Sequence, residues 1–217
     1  MTNSRSLALN CLPPRQNIGF RLQVEALVAR NLAANRQGQI VFVGSSIFRL
    51  WKTLAKDLHP LPVVNRAFGG ARTWEVLYYA DRLILTQQPK IVVYYCGSND
   101  INAGAKAAEI QARFALFAEY LIACLPEIQI FFVSINRAPQ KQSKWGIVDA
   151  ANNAIRQYAT TMPNLEFIDV NPVLFNKAVK PRTDLYLNDL VHLTPSTYQA
   201  FTRIIRPILL ATWEQLS

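Results

Sequence analysis

The sequence predicts an α/β fold in three layers, with a parallel sheet held between two layers of helices. Two observations carry this. Short apolar runs alternate with segments of helical periodicity along the whole chain, which is the pattern of strand–helix–strand crossovers. The runs are apolar at successive positions rather than at every second one, as expected of strands covered on both faces. Right-handed crossovers then narrow the topology to a doubly wound sheet.

Taken in order, Phe20, Val24, Leu27, Val28 and Leu32 recur at helical spacing and predict an amphipathic helix over 18–36. Ile40-Val41-Phe42-Val43 is a buried strand ended by Gly44, and a helix over 46–57 follows, carrying Phe48, Trp51 and Leu54. Residues 62–65 form a second strand leading to Gly69-Gly70, and Trp74, Leu77, Ala80, Leu83 and Ile84 mark the next helix. Ile91-Val92-Val93-Tyr94-Tyr95 is the third strand, stopped by Gly97. Ile110, Phe114, Phe117 and Leu121 define a long helix, residues 128–135 a fourth strand, 147–161 a helix and 165–170 a fifth strand. Thr194 caps a last helix, with Pro195 suited to its first turn.

At 217 residues the chain suits one domain with a full core. Residues 1–15, with Pro13, Pro14 and Arg15, read as a disordered tail without a signal-peptide apolar stretch, leaving 16–217 as a single domain. No apolar run is long enough for a membrane span. The odd set Cys11, Cys96 and Cys124 fits no metal or redox spacing and suits free thiols in a reducing, cytoplasmic setting. With only His59 and His192, and no Cys/His cluster, neither a metal nor a cofactor is expected. The net charge of +9 attracts anions. Yet no helix-turn-helix, RNA-binding or zinc signature supports a nucleic-acid partner. The absence of G-x-G-x-x-G after the first strand argues against a dinucleotide site.

In a doubly wound sheet, ligands bind beyond the carboxyl ends of the strands. Four segments gather there: Gly44-Ser45-Ser46, Phe68-Gly69-Gly70, Gly97-Ser98-Asn99-Asp100 and Asp189-Leu190-Val191-His192. Together they supply what acyl transfer needs. Ser46 is a hydroxyl nucleophile that requires a base. His192 is that base, and Asp189, three residues earlier, can fix its tautomer. The backbone N–H groups of Ser46 and Gly70 and the Asn99 amide are candidate donors to an oxyanion. Singly, each segment has a plain structural reading: Ser46 and Asn99-Asp100 as helix caps, Gly69-Gly70 as a turn, and Asp189 with His192 as a structural hydrogen bond. His59 reads as a loop histidine. The ordered combination favours chemistry.

These four segments resemble the sequence blocks of the SGNH hydrolases, or GDSL-type esterases and lipases. The residues of that acronym match Ser46, Gly70, Asn99 and His192 here, from about Ile40 to Leu210. The resemblance implies a flavodoxin-like sandwich with five strands in the order 2-1-3-4-5. It also implies an Asp189–His192–Ser46 triad and an oxyanion hole from Ser46, Gly70 and Asn99. One departure is Ser45, where the usual block has aspartate. This Gly-Ser-Ser variant is similar to the platelet-activating-factor acetylhydrolase-like branch, and it leaves the hydrogen bonding at the helix start to be settled. Gly-x-Ser-x-Gly, the nucleophile motif of the α/β-hydrolases, is absent.

The reading is therefore a serine esterase acting through an acyl-enzyme on Ser46, on a small-molecule ester. No long insertion forms a lid, which favours short acyl groups or acetylated carbohydrates over long-chain triglycerides. Two basic clusters, Arg137, Lys141 and Lys144, and Lys177, Lys180 and Arg182, fall at the same edge and are candidates to hold an anionic substrate; the alternative is a solvated loop. Trp74, Tyr94, Tyr95 and Trp145 are candidates for a pocket lining or for plain packing. The rival to catalysis is a weak relative that binds carbohydrate or an anion. Oligomeric state is not encoded in any motif.

Overall fold

The computed structural model describes residues 19–32 and 39–216. The 1–15 tail, Cys11 and the ends of the first predicted helix, at 18 and 33–36, lie outside those residues. The elements run α1 (Arg21–Leu32), β1 (Ile40–Gly44), α2 (Ser46–Arg49), α3 (Leu54–Asp57), β2 (Val63–Asn65), α4 (Thr73–Tyr78), α5 (Ala80–Leu83), β3 (Ile91–Tyr95), α6 (Ser98–Asn102), α7 (Ala107–Cys124), β4 (Gln129–Val133), α8 (Trp145–Ala159), β5 (Leu165–Ile168) and α9 (Pro195–Leu216). All strand pairs are parallel and the sheet order is β2-β1-β3-β4-β5, as the resemblance implied.

Alternation of side chains splits the core into two halves. Val41, Val43, Val92, Tyr94, Ile130 and Phe132 face one layer, where α4, α5, α7 and α8 contribute Val76, Leu83, Phe114, Phe117 and Ile155. Ile40, Phe42, Val93, Tyr95, Phe131 and Val133 face the other, where α2, α3 and α9 contribute Phe48, Leu54, Phe201 and Ile205. Of the predicted pocket aromatics, Tyr94 and Trp74 are core packing, and Trp74 lies under the Arg72 guanidinium.

Two helices expected to be continuous are broken, each for a local reason. The segment 46–57 divides into α2 and α3 because Trp51 turns inward against Phe42 and stacks on Tyr198. Its indole N–H and the Thr53 hydroxyl then both donate to the Asp57 carboxylate. The helix through Trp74 and Ile84 breaks at Tyr79, whose φ of −95° and ψ of 8° send its ring into the core beside Phe68. The fourth and fifth strands are shorter than expected because side chains take over their last rungs. The Ile135 N–H goes to Asn152 Oδ1, and the Val170 N–H to Ser134 Oγ. Among the described residues no helix is long and apolar enough to cross a membrane.

Gly44 ends β1 at φ +134°, and a Cβ built on it would stand 1.9 Å from the Tyr95 carbonyl oxygen on β3. That atom is backbone in a central strand and has no room to give. Gly44→Ala should therefore destabilise the fold by about 3 kcal/mol or prevent folding. Urea denaturation checks this; a loss under about 1 kcal/mol would mean that the strand ends can part.

Candidate active site

The turn out of β1 delivers Ser46 to the carboxyl edge of the sheet. The Ser45 N–H donates to the Tyr95 carbonyl (3.0 Å), carrying the β1–β3 ladder one residue past Gly44. Ser45 is buried and its side chain makes no capping hydrogen bond to α2. The helix start is held instead by main chain, with Arg49 N–H on the Ser45 carbonyl (3.1 Å), and by two side chains from elsewhere. The Tyr198 hydroxyl of α9 donates to the Ile47 carbonyl (2.8 Å), and Asn65 Nδ2 of β2 donates to the Phe48 carbonyl (2.6 Å). Three elements thus fix one turn of helix, and Ser46 stands half-buried at its start.

The loop before α9 brings Asp189 and His192 together. The Leu187 N–H donates to the His192 carbonyl (2.7 Å), and Leu190 takes a left-handed φ of +53° to close the turn. The Asp189 carboxylate stands at the centre of this turn. Its Oδ1 accepts the backbone N–H groups of Val191 and His192, each at 2.9 Å. Its Oδ2 lies 2.5 Å from His192 Nδ1, and His192 Nε2 lies 2.9 Å from Ser46 Oγ. A carboxylate on Nδ1 assigns the ring proton there and leaves Nε2 as an acceptor facing the Ser46 hydroxyl. The His192 backbone N–H, joined by the His192 ring and the Val191 N–H, outweighs desolvation and holds the Asp189 carboxyl down at about 2. A carboxyl depressed in the folded state contributes stability that is complete above the ordinary carboxylate range and is lost as pH falls through about 2. Asp189 is therefore an anion throughout the neutral range.

The third segment enters after Gly97, whose φ is +129°; a Cβ there would meet Ile135 Cδ1 at 2.5 Å. Asn99, in the first turn of α6, donates through Nδ2 to the Ala71 carbonyl (2.9 Å), and Cys96 Sγ donates to the same oxygen (3.2 Å). Asp100 reaches across to the neighbouring loop rather than capping its own helix. Its buried carboxylate accepts the Thr73 N–H (3.0 and 3.1 Å) and the Thr73 hydroxyl (2.6 Å), and pairs with Arg113 at 3.3 Å. Burial pushes the Asp100 carboxyl upward, against the downward pull of the Thr73 donors. The Gly69-Gly70 loop is therefore tied to α6 at Ala71 and Thr73. Gly70 itself has φ +79°, in the left-handed region that favours glycine.

Ser46, Asn99, Asp189 and His192 line one cleft of about 320 Å³. Gly70 does not line it and lies next to Ala71, whose carbonyl holds Asn99. Of the two basic clusters only Lys141 reaches the cleft. Arg137 pairs with Asp149 (2.6 Å) in a separate cavity, Lys144 Nζ donates to the Ile101 carbonyl (3.3 Å), and Arg182 pairs with Asp184 (2.8 Å). Lys177 and Lys180 are exposed away from the cleft. Tyr95 lines the cleft, whereas Trp145 packs on Phe175. Sequence reasoning missed Asn136, which also lines the cleft, and the Asp100–Thr73 tie. An acid directly after Asn99 was the only signal for the second, and nothing in the sequence marked the first. Among the described residues no His, Cys, Asp and Glu group could hold a metal ion.

The GDSL-like Lipase/Acylhydrolase family matches the chain over residues 26–200. No curated protein matches the chain by sequence. Solved structures share the fold at low identity. A Streptococcus pneumonia protein, provisionally named a platelet activating factor, superposes with a TM-score of 0.76 at 21% identity, over 95% of this chain and 98% of its own. A GDSL-like lipase from Bacteroides thetaiotaomicron gives 0.72 at 19% identity, over 87% and 98%. A variant of an acetyl-xylooligosaccharide esterase from Geobacillus Stearmophilus gives 0.62 at 16%, over 78% and 92%.

Removing the Asp100 charge tests the tie between the two loops. Asp100→Asn should cost on the order of 2 kcal/mol in stability, and combining it with Thr73→Val should cost much less than the sum of the two. Denaturant titration of the double-mutant cycle checks this; simple additivity would mean that the contact carries no coupling.

Proposed function

Because the chain belongs to the GDSL-like lipase/acylhydrolase family and so is an ester-hydrolysing enzyme, we propose that it cleaves small carboxylic esters through an acyl-enzyme on Ser46. The observation that carries this reading is the 2.9 Å approach of His192 Nε2 to Ser46 Oγ, with the Asp189 carboxylate on the far side of the imidazole. In the first step Ser46 Oγ attacks the ester carbonyl carbon while Nε2 takes its proton. The imidazolium so formed is stabilised by an Asp189 anion that is already in place. The carbonyl oxygen becomes an oxyanion and takes hydrogen bonds from the donors around it. The Ser46 N–H is one, in a first turn of helix where no intrahelical acceptor exists. The Asn99 amide is another, with one proton fixed on Ala71 and the second available. The resemblance implies the Gly70 N–H as a third, from the loop that Ala71 and Thr73 hold beside the cleft rather than in its wall.

Collapse of the tetrahedral species breaks the bond to the alcohol, which leaves with the proton from Nε2. Water then attacks the acyl-enzyme, giving its proton to Nε2, and the same donors stabilise the second oxyanion. Free acid and Ser46 are restored. A cleft of about 320 Å³ sits at the small end of ligand sites and favours short acyl groups, acetyl above all. The free thiols of Cys96 and Cys124 support a reducing, cytoplasmic setting.

Hydrolysis of p-nitrophenyl acetate, butyrate and octanoate by the wild type and by Ser46→Ala tests the proposal. Turnover should fall with chain length and drop in Ser46→Ala by at least about a thousandfold; full activity in the variant would place the nucleophile elsewhere. The pH profile gives a second test. With the Asp189 carboxyl held at about 2, that carboxyl should contribute no step to the acid limb above pH 4. Asp189→Asn should leave the number of steps in that limb unchanged while lowering kcat on the order of a thousandfold. A wild-type step above pH 4 that disappears in Asp189→Asn would return the carboxyl to the ordinary range.

A further inference from the structure

The cleft contains a side chain that the chemistry above leaves unused. Asn136 lies just past β4, is 3% exposed and lines the same cleft as Ser46 and His192. Its backbone N–H donates to the Tyr95 hydroxyl at 3.3 Å. Its side chain is unpaired: neither Oδ1 nor Nδ2 has a hydrogen-bond partner. The neighbouring asparagines behave differently. Asn152, equally buried, uses both amide atoms on the Ile135 main chain, at 2.8 and 2.9 Å. Asn171 accepts the Arg137 N–H (2.8 Å) and donates to Ser134 Oγ and the Ile135 carbonyl (3.0 Å each). Leaving a buried donor and acceptor unmade costs on the order of 1–3 kcal/mol each, and native folds rarely carry that without a use.

What would satisfy Asn136 follows from its chemistry. An amide with a free donor and a free acceptor complements a group that offers both, and a hydroxyl does so. An anion could take the Nδ2 proton but would face Oδ1 with like charge. Lys141, the one basic residue of the cleft, is a poor anion anchor. Its Nζ is already on the Ser98 hydroxyl (2.7 Å) and carbonyl (3.2 Å), and burial, with Lys144 nearby, pulls it down to about 8. We propose that Asn136 is a specificity-determining residue that reads a hydroxyl group of the substrate, so that the preferred ester is that of a polyol rather than of a simple alkyl or anionic alcohol. This rests on the assignment of Ser46 as the nucleophile of the same cleft.

The test compares kcat/KM for glycerol 1-acetate and propyl acetate, which differ by two hydroxyl groups. The wild type should favour the glycerol ester by tenfold or more, because a site built to pair with a hydroxyl rejects the analogue that lacks it by at least about that factor. Asn136→Leu and the smaller Asn136→Ala should bring the ratio to within about twofold of unity, with the loss falling on the glycerol ester. A wild-type ratio near unity overturns the proposal. So does a preference that survives both variants, or an equal loss of both esters, which would make Asn136 a structural residue. Ser46→Ala separates the two readings. Turnover that persists in it removes the nucleophile assignment, whereas a flat ratio with Ser46-dependent turnover removes only the role of Asn136.

Discussion

Everything at the carboxyl edge of the sheet depends on how closely β1 and β3 approach there. A side-chain carbon on Gly44 would fall 1.9 Å from the Tyr95 carbonyl, so the two strands stay paired to their last residue only because that position carries none. The same carbonyl then receives the Ser45 N–H, and the chain turns directly into the helix that begins with Ser46. On the β3 side, Gly97 makes the corresponding turn against Ile135 and opens the helix that carries Asn99. Ser46 and Asn99 therefore start from neighbouring strands, and backbone hydrogen bonds rather than flexible side chains set the distance between them. The sheet order places β1 between β2 and β3, where connections leave to opposite sides, and this parting of the loops forms the cleft.

The fold was legible because its signal is redundant. Ile91–Tyr95 and the helix through Ile110 and Leu121 each repeat one pattern over several residues, and both elements stand where the pattern put them. Elements failed where one residue overruled its neighbours. Trp51 and Tyr79 carry enough apolar surface to break a helix in order to bury a ring, and no periodicity announces that choice. Ser46 and Asn99 were legible because each lies directly beyond a strand end, at a helix start, and Asp189 and His192 because they stand three apart in the loop before the last helix. Gly70 was legible as a member of the set, yet it stands outside the cleft wall that the other four share.

Charge was the least readable layer. Basic residues that cluster in sequence at 137–144 disperse in space: Arg137 to Asp149, Lys144 to a main-chain carbonyl and Lys141 alone to the cleft. The side chain that the cleft leaves unsatisfied is a neutral amide, Asn136, which no spacing or composition singles out. Its significance lies in what does not touch it, and an unmade contact has no counterpart in a sequence pattern. Asp100 is intermediate. An acid beside Asn99 is visible, but its reach across to Thr73 is a property of the packed loops.

Asp189 and His192 belong to one turn, and the carboxylate that orients the imidazole also holds that turn's own backbone through Val191 and His192. Asp189 and His192 thus form one local unit, held by contacts within a single turn. Ser46 arrives from the other end of the sequence, and the hydrogen bond between Oγ and Nε2 joins it to that unit. A displacement of this turn would carry both members of the pair together, altering a single separation and leaving the internal geometry of the pair untouched. The Asp189–His192 half of the site is therefore portable. Cleft walls on other segments can be remodelled by drift, insertion or design without disturbing the hydrogen bonds that fix the imidazole.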